Sequence, residues 1–394
     1  MALVVGGLAL HRSLLKNHRD VFRRFTRSFQ DLDAVTEVKK RGYDCEVHKV
    51  TTSDGYNLTL HRVKPLKSSV SGRKPVMVQH GLSCASTDWV VMNGGLVYRL
   101  VDEGCDVWLG NTRGNIYSRS HVTLNPETAK FWDFSWHEMG YYDLPSMIDY
   151  ILAKTQQNRL TYVGHSQGTC VFFVMGSTRP EYNEKISSMF ALGPVASLEH
   201  LGSMLLKQLA VRSKTIHKAA NAAGISYITL DTTDTFSKFI DVFQGRVKML
   251  DESMTYVLSS LWGYPCEELR PKLFTLWVGH VRNGLSLKQL AHFAQSISGE
   301  YWFHYYDQGP VANMRLYGQP TPPPYPLDRI TTPVSLLYGP ADWLAHPLDV
   351  RALYAALSTE KKLVEMPLPL YNHLDFCWST KCLDNIVDRV LSTV

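Results

Sequence analysis

One stretch constrains the fold more than any other: LTYVGHSQGTCVFFVM, residues 160–175. A strand-like apolar run, Leu160-Thr161-Tyr162-Val163, passes with almost no loop into a helical pattern from Thr169 to Met175. So sharp a turn requires close backbone approach at Gly164 and Gly168, where a Cβ would collide with its neighbours. It leaves Ser166, held between them, in a strained conformation above the sheet edge. The amides that open the new helix face the same space and favour negative charge there. The spelling Gly-x-Ser-x-Gly alone carries little, because it arises by chance in about one chain of this length in ten. The strand–turn–helix context is what makes Ser166 a candidate nucleophile. Cys170 falls inside the helix and, like Cys105, reads as a buried thiol.

The same rhythm continues on both sides of this elbow. Residues 46–63 read as two strands joined at Ser53-Asp54-Gly55, and Pro75–Gln79 is a short apolar strand running into His80-Gly81-Leu82. A helical stretch at 93–103, a strand ending in GNTRGN and a helix over 138–157 follow. Short apolar strands alternating with helices specify an α/β fold, a mostly parallel sheet covered by helices on both faces. After residue 196 the pattern turns helical and aromatic (SLEHLGSMLLKQLA, DTFSKFIDVF, LSLKQLAHFAQSI) until the proline-rich GQPTPPPYPLD. Thr332–Tyr338 then returns to sheet. The division expected is an N-terminal extension at 1–39, a first core part at 40–196, an inserted helical region at 197–325, and a second core part at 326–394.

An acyl-transfer site needs oxyanion donors, an acid and a base around the serine. One donor is the amide of Gln167, directly after Ser166, and the other the amide of Leu82, in the loop after an early strand. His80 precedes the serine in chain order and is read as structural. In the order Ser, acid, His, the sequence offers Asp342 after a strand and a Gly-Pro loop, then His373 in PLYNHLDFCW. His373 would act as base, with Asp342 fixing its tautomer. Asp349 is the rival acid, but Pro347 and Leu348 place it in a first helical turn; His346 lies too close to the acid to replace His373. Asn372 and Asp375 are read as shaping the histidine loop.

Composition closes off other classes. A chain of 394 residues with 45% hydrophobic content supports a large core, and a net charge of +5 spread through the body gives no nucleic-acid footprint. Fifteen histidines include His280, His292 and His304 in the inserted region, but there is no HExxH and no close pair, so no metal is expected. Neither GxGxxG nor GxxxxGK opens a helix, so no cofactor is expected either. Seven cysteines without a CxxC pair do not build a disulfide scaffold; Cys377 and Cys382 are close enough in sequence to cross-link. MALVVGGLAL is a short apolar start with no basic residues before it, followed by a basic, partly amphipathic run; no apolar stretch reaches membrane-spanning length. Asn57-Leu58-Thr59 is a glycosylation sequon that matters only on the secretory route. Nothing specifies an oligomer, and a monomer is assumed.

Taken together, TTSDGYNLTLHRV, QHGLSCASTDWV, DVWLGNTRGNIYSR, FWDFSWHEMGYYDLPSMIDYI, YVGHSQG, DWLAHPLDV and YNHLDF span residue 40 to the C-terminus. With them the chain resembles the acid lipase family of α/β-hydrolases, the gastric and lysosomal lipases and their insect relatives, and most of all the insect branch. The resemblance implies an α/β-hydrolase fold whose inserted region at 197–325 is a helical cap and lid, and no cofactor. It also implies a serine hydrolase that cleaves neutral-lipid esters, triacylglycerols or cholesteryl esters, at a lipid–water interface. It carries nucleophile, acid and base onto Ser166, Asp342 and His373, and the oxyanion donors onto Leu82 and Gln167. Such proteins are usually secreted or lysosomal and glycosylated. Relatives of the mammalian branch often hold a disulfide in the cap, whereas Cys266 is the only cysteine of that region here. Alternatives sharing these residues are a carboxylesterase for smaller soluble esters, a peptidase, and a non-catalytic lipid-binding or storage protein.

Overall fold

A computed structural model of the chain describes residues 33–65, 74–228, 259, 261–263, 283–297 and 302–394. The apolar start with its basic run (1–32), DTFSKFIDVF, Cys266 and His280 lie outside the described residues.

Helix α1 (Ala34–Lys40) is capped by Asp33, whose carboxylate accepts from Thr36 N at 3.0 Å. Strands β1 (Tyr43–Thr51) and β2 (Asn57–Pro65) form an antiparallel hairpin. Then come β3 (Pro75–Gln79), α2 (Leu96–Asp102), β4 (Asp106–Asn111), α3 (Leu144–Thr155), β5 (Leu160–His165), α4 (Gln167–Thr178) and β6 (Ile186–Leu192). The helical insertion follows, with α5 (Met204–Val211), α6 (Ser213–Ala222), α7 (Leu287–Ile297) and α8 (Pro310–Tyr317). The core is completed by β7 (Val334–Tyr338), α9 (Pro347–Ala356), β8 (Lys361–Glu365) and α10 (Leu383–Leu391).

The sheet has eight strands in the order β1-β2-β4-β3-β5-β6-β7-β8. Only β2 runs against its neighbours; the pairings from β4 to β8 are parallel. Strands β3, β4 and β5 are buried at every position, as a sheet covered on both faces requires. Met77, Trp108 and Tyr162 pack on one face with residues of α3, α4 and α9. Val76, Val78, Val107, Leu109 and Val163 pack on the other with residues of α1, α2 and α10. The fold is therefore that of an α/β-hydrolase core with a large helical insertion.

Several boundaries differ from expectation. The helix read over 138–157 starts at Trp136 and widens into a π-turn over Met139–Asp143 before α3. A Cβ on Gly140 would come within 2.6 Å of Val171 O and Val174 Cβ, so the turn packs directly on α4. In SLEHLGSMLLKQLA helix begins only at Met204, where the Ser203 hydroxyl accepts from Leu206 N. Strand β6 has no counterpart in the sequence reading.

Candidate active site

The elbow is tight because two elements meet at its glycines. A Cβ at Gly164 would lie 2.7 Å from Gly168 O, and one at Gly168 would lie 2.6 Å from Gln79 O. Between them Ser166 adopts φ +54°, ψ −119°, a region that costs a non-glycine residue about 1–3 kcal/mol. The conformation is held by Ser166 N donating to Leu192 O at 3.0 Å and by Thr169 N and Oγ1 donating to Ser166 O at 2.9 and 2.6 Å. Gln167 opens α4; its side chain accepts from Gln289 Nε2 on α7, tying the insertion to the elbow.

The loop after β3 passes close over the serine. A Cβ on Gly81 would lie 3.1 Å from Ser166 Cβ. His80 orients this loop. Its Nε2 accepts from Thr112 N and Asn115 Nδ2, each at 3.2 Å, so the proton sits on Nδ1, which donates to Gly81 O at 2.8 Å. That bond fixes the plane of the peptide whose N–H belongs to Leu82. Burial lowers the His80 pKa to about 4, keeping the ring neutral.

Asp342 follows β7 and is buried. Its Oδ1 accepts from Leu344 N and Ala345 N at 2.9 and 2.8 Å, and its Oδ2 lies 2.8 Å from His373 Nδ1. Nδ1 of His373 therefore donates to the Asp342 carboxylate. Among the described residues Nε2, which is buried, has no hydrogen-bond partner. The loop bearing His373 is bound by Asn372 N donating to Asp375 Oδ2 at 2.7 Å and Leu374 N donating to Asn372 Oδ1 at 2.9 Å.

Ser166, Leu82 and His373 line one cavity of about 570 Å³, whose other walls are apolar and include Leu198, Trp262, Leu287, Phe293 and Trp378. Its size and character are those of a small-molecule site.

Other sequence candidates lie elsewhere. Asp349, in the first turn of α9, accepts from His200 N and pairs with His200 Nδ1 at 2.9 and 2.7 Å. His346 caps the same helix, accepting from Leu348 N. Cys170 is buried in α4, where burial raises its thiol pKa well above the usual value. Cys377 and Cys382 are both free thiols. His292 bonds Ser135 Oγ and the His304 carbonyl, and its ring stacks on Trp136 at 3.7 Å. Asn57 begins β2 and accepts from Thr51 Oγ1 at 2.9 Å.

The sequence reading missed three contributors. Gly193, at φ +53°, lies where a Cβ would be 3.1 Å from His373 Nδ1. Gln289 reaches Gln167 from the insertion, and His165 bonds the His373 backbone. Only His165 carried a local signal, its place beside Ser166.

Fold and site together define an α/β-hydrolase of the serine-hydrolase, esterase type. Known sequences agree: a profile described as a partial alpha/beta-hydrolase lipase region matches residues 35–93, and one for the alpha/beta hydrolase fold matches 74–243. Lipase 1 of Drosophila melanogaster is 38% identical, over 91% of this chain and 78% of its own length. Gastric triacylglycerol lipase of Bos taurus is 36% identical, over 89% of this chain and 88% of its own. A hypothetical protein from Pseudomonas aeruginosa shares the fold alone, with a TM-score of 0.52 at 12% identity over 90% of this chain and 94% of its own. The chain belongs to a lipase family within the α/β-hydrolase superfamily.

Proposed function

We propose that this hydrolase cleaves the carboxylic ester bonds of neutral lipids, triacylglycerols or steryl esters, through Ser166, His373 and Asp342. The observation that carries the reading is that His373, its Nδ1 held by Asp342, borders with Ser166 one largely apolar cavity of about 570 Å³, its Nε2 without a hydrogen-bond partner among the described residues. As Ser166 Oγ bonds to the ester carbonyl carbon, its proton passes to His373 Nε2, and Asp342 supports the resulting imidazolium. The carbonyl oxygen becomes an oxyanion facing the amides of Leu82 and Gln167, the latter at the positive end of α4. Collapse breaks the C–O bond; the alcohol leaves with the proton from Nε2, and the acyl group stays on Oγ. Water then attacks with the same base, releasing the fatty acid and restoring the hydroxyl.

The segment 197–325 serves as cap, its α5–α7 residues forming much of the acyl-binding wall. No helix among the described residues is long and apolar enough to cross a membrane, and the substrate is met at a lipid–water interface. A secreted or lysosomal location, with glycan on Asn57, belongs to the same reading. Thr59 of that sequon is buried, so the sugar would be added before folding.

A panel of trioleoylglycerol, cholesteryl oleate and a short soluble ester, scanned above and below substrate aggregation, tests the substrate class. Activity confined to the soluble ester would replace a lipase by a carboxylesterase. Ser166→Ala should fold normally and lose ester hydrolysis by at least about 10³-fold; full turnover by that variant on trioleoylglycerol would defeat the assignment.

A further inference from the structure

His165 makes and breaks no bond in this mechanism, yet both nitrogens of its buried ring are engaged. Nε2 lies 2.8 Å from the His373 carbonyl oxygen, and Nδ1 lies 3.2 Å from Cys377 Sγ. A carbonyl only accepts, so Nε2 carries the proton and Nδ1 is left as an acceptor. The thiol supplies the matching donor: burial, with Asp88 adding its charge, raises the Cys377 pKa well above its usual value and keeps it S–H. The two imidazole rings stand 4.7 Å apart, and Trp89 closes on His165 edge-on.

We propose that His165 is a positioning residue for ester hydrolysis, its Nε2–H bond to the His373 carbonyl setting the general base against the nucleophile next door in sequence. Cys377 holds the tautomer that makes this bond. Asp342 grips the His373 ring and so fixes its direction, and Ala341 N donating to Tyr371 O at 3.2 Å and Asn372 Nδ2 donating to Gly263 O at 3.1 Å tie the residues just before it. The bond to His165 holds the carbonyl of residue 373 itself, joining it to the last residue of β5, which directly precedes the nucleophile. Displacing a reacting group by about 1 Å costs on the order of 10²-fold in rate. The neutral tautomer matters as well. Burial, then the charge of His373, disfavours a cation on His165, so no second positive charge opposes the imidazolium that forms 4.7 Å away. The inference rests on the reading of Ser166 and His373 given above.

The test measures kcat and KM of the full chain on a soluble p-nitrophenyl ester for His165→Phe, His165→Gln and Cys377→Ala, beside Ser166→Ala and His373→Ala. Phe keeps a ring without a donor, whereas the Gln amide can occupy the place of Nε2. We expect kcat of His165→Phe to fall about 30- to 100-fold with KM within about twofold. His165→Gln should return to within about fivefold of the parent, and Cys377→Ala should lose about three- to tenfold in kcat. A residue that only fills space would lower the melting temperature, leave kcat per folded molecule alone and gain nothing from Gln. His165→Phe with parental kcat, or His165→Gln as impaired as His165→Phe, overturns the proposal. If His165→Phe does not fold, His165→Gln decides, and a loss beyond about 30-fold counts against it. Activity surviving in Ser166→Ala or His373→Ala overturns the underlying mechanism and the proposal together. Inactivity of both beside an unimpaired His165→Phe removes only the proposal.

Discussion

Gly193 shows how little room surrounds the Asp342–His373 pair. It follows β6 with φ +53°, and a Cβ would stand 3.1 Å from His373 Nδ1 and 3.2 Å from Asp342 Oδ2. Gly193→Ala should therefore destabilise the fold by about 1–3 kcal/mol through backbone strain and, separately, push the imidazole off its carboxylate. The expected result is a loss of at least about tenfold in kcat with the circular dichroism spectrum unchanged. Parental kcat would show that the pair tolerates displacement. At this scale the candidates with local signatures could be named from sequence: the GxSxG serine, the aspartate after a Gly-Pro turn and the histidine in YNHLDF, of which the structure pairs Asp342 with His373 and brings Ser166 and His373 to one cavity. Gly193, Gln289 and the role of His165 could not, because their signal is spatial. His165 and the His373 carbonyl are separated by 208 positions, and no spacing rule reaches that far.

Among elements, one buried ionic junction joins the β1–β2 turn, the end of β4 and the π-turn before α3. Arg113 follows β4 and is fully buried. Its Nε and NH2 donate to Asp143 Oδ1 at 2.8 and 2.7 Å, its NH1 to Asp54 Oδ2 at 2.7 Å, and its guanidinium sits 3.9 Å over the Tyr56 ring. Asp143 is wholly inaccessible, and burial raises its pKa even against the neighbouring guanidinium. Arg113→Met should cost about 3–5 kcal/mol in urea unfolding, because it strands a buried carboxylate; adding Asp143→Leu should recover most of the loss. No recovery would mean that the arginine acts mainly by packing on Tyr56. The sequence showed GNTRGN as a motif but not this partnership. It showed β3, β4 and β5 as short, mainly apolar strands, whereas β6 begins Ile-Ser-Ser. Ser187 there is a half-buried linker, donating to Leu160 O at 3.1 Å, and its polarity hides a central strand.

For the whole molecule, buried neutral histidines set how the fold responds to acid. His61, bonded to Ser86 Oγ at 2.7 Å, and His80 both have pKa values lowered to about 4 by burial. In the unfolded chain each titrates near 6.5. Between those values the unfolded state binds protons that the native state refuses, so stability falls as pH drops from about 6.5 to about 4. Each histidine accounts for about 3 kcal/mol across that window, and below it their effect is constant. Carboxylates act lower. Glu46 is raised by burial but pulled down further by Lys64, His48 and Arg62, to about 2, so its contribution is lost only as pH falls from about 4.5 toward 2. The melting temperature should thus decline between pH 7 and pH 4.5, before Glu46 matters much. His61→Gln should narrow the difference between those two pH values, since one of the protons taken up on unfolding is gone. Equal melting temperatures for the parent chain at pH 7 and 4.5 would contradict the neutral-histidine account. A decline would mean that hydrolysis in acid is limited by survival of the fold, and initial rates recorded beside half-lives at each pH separate loss of the fold from loss of turnover.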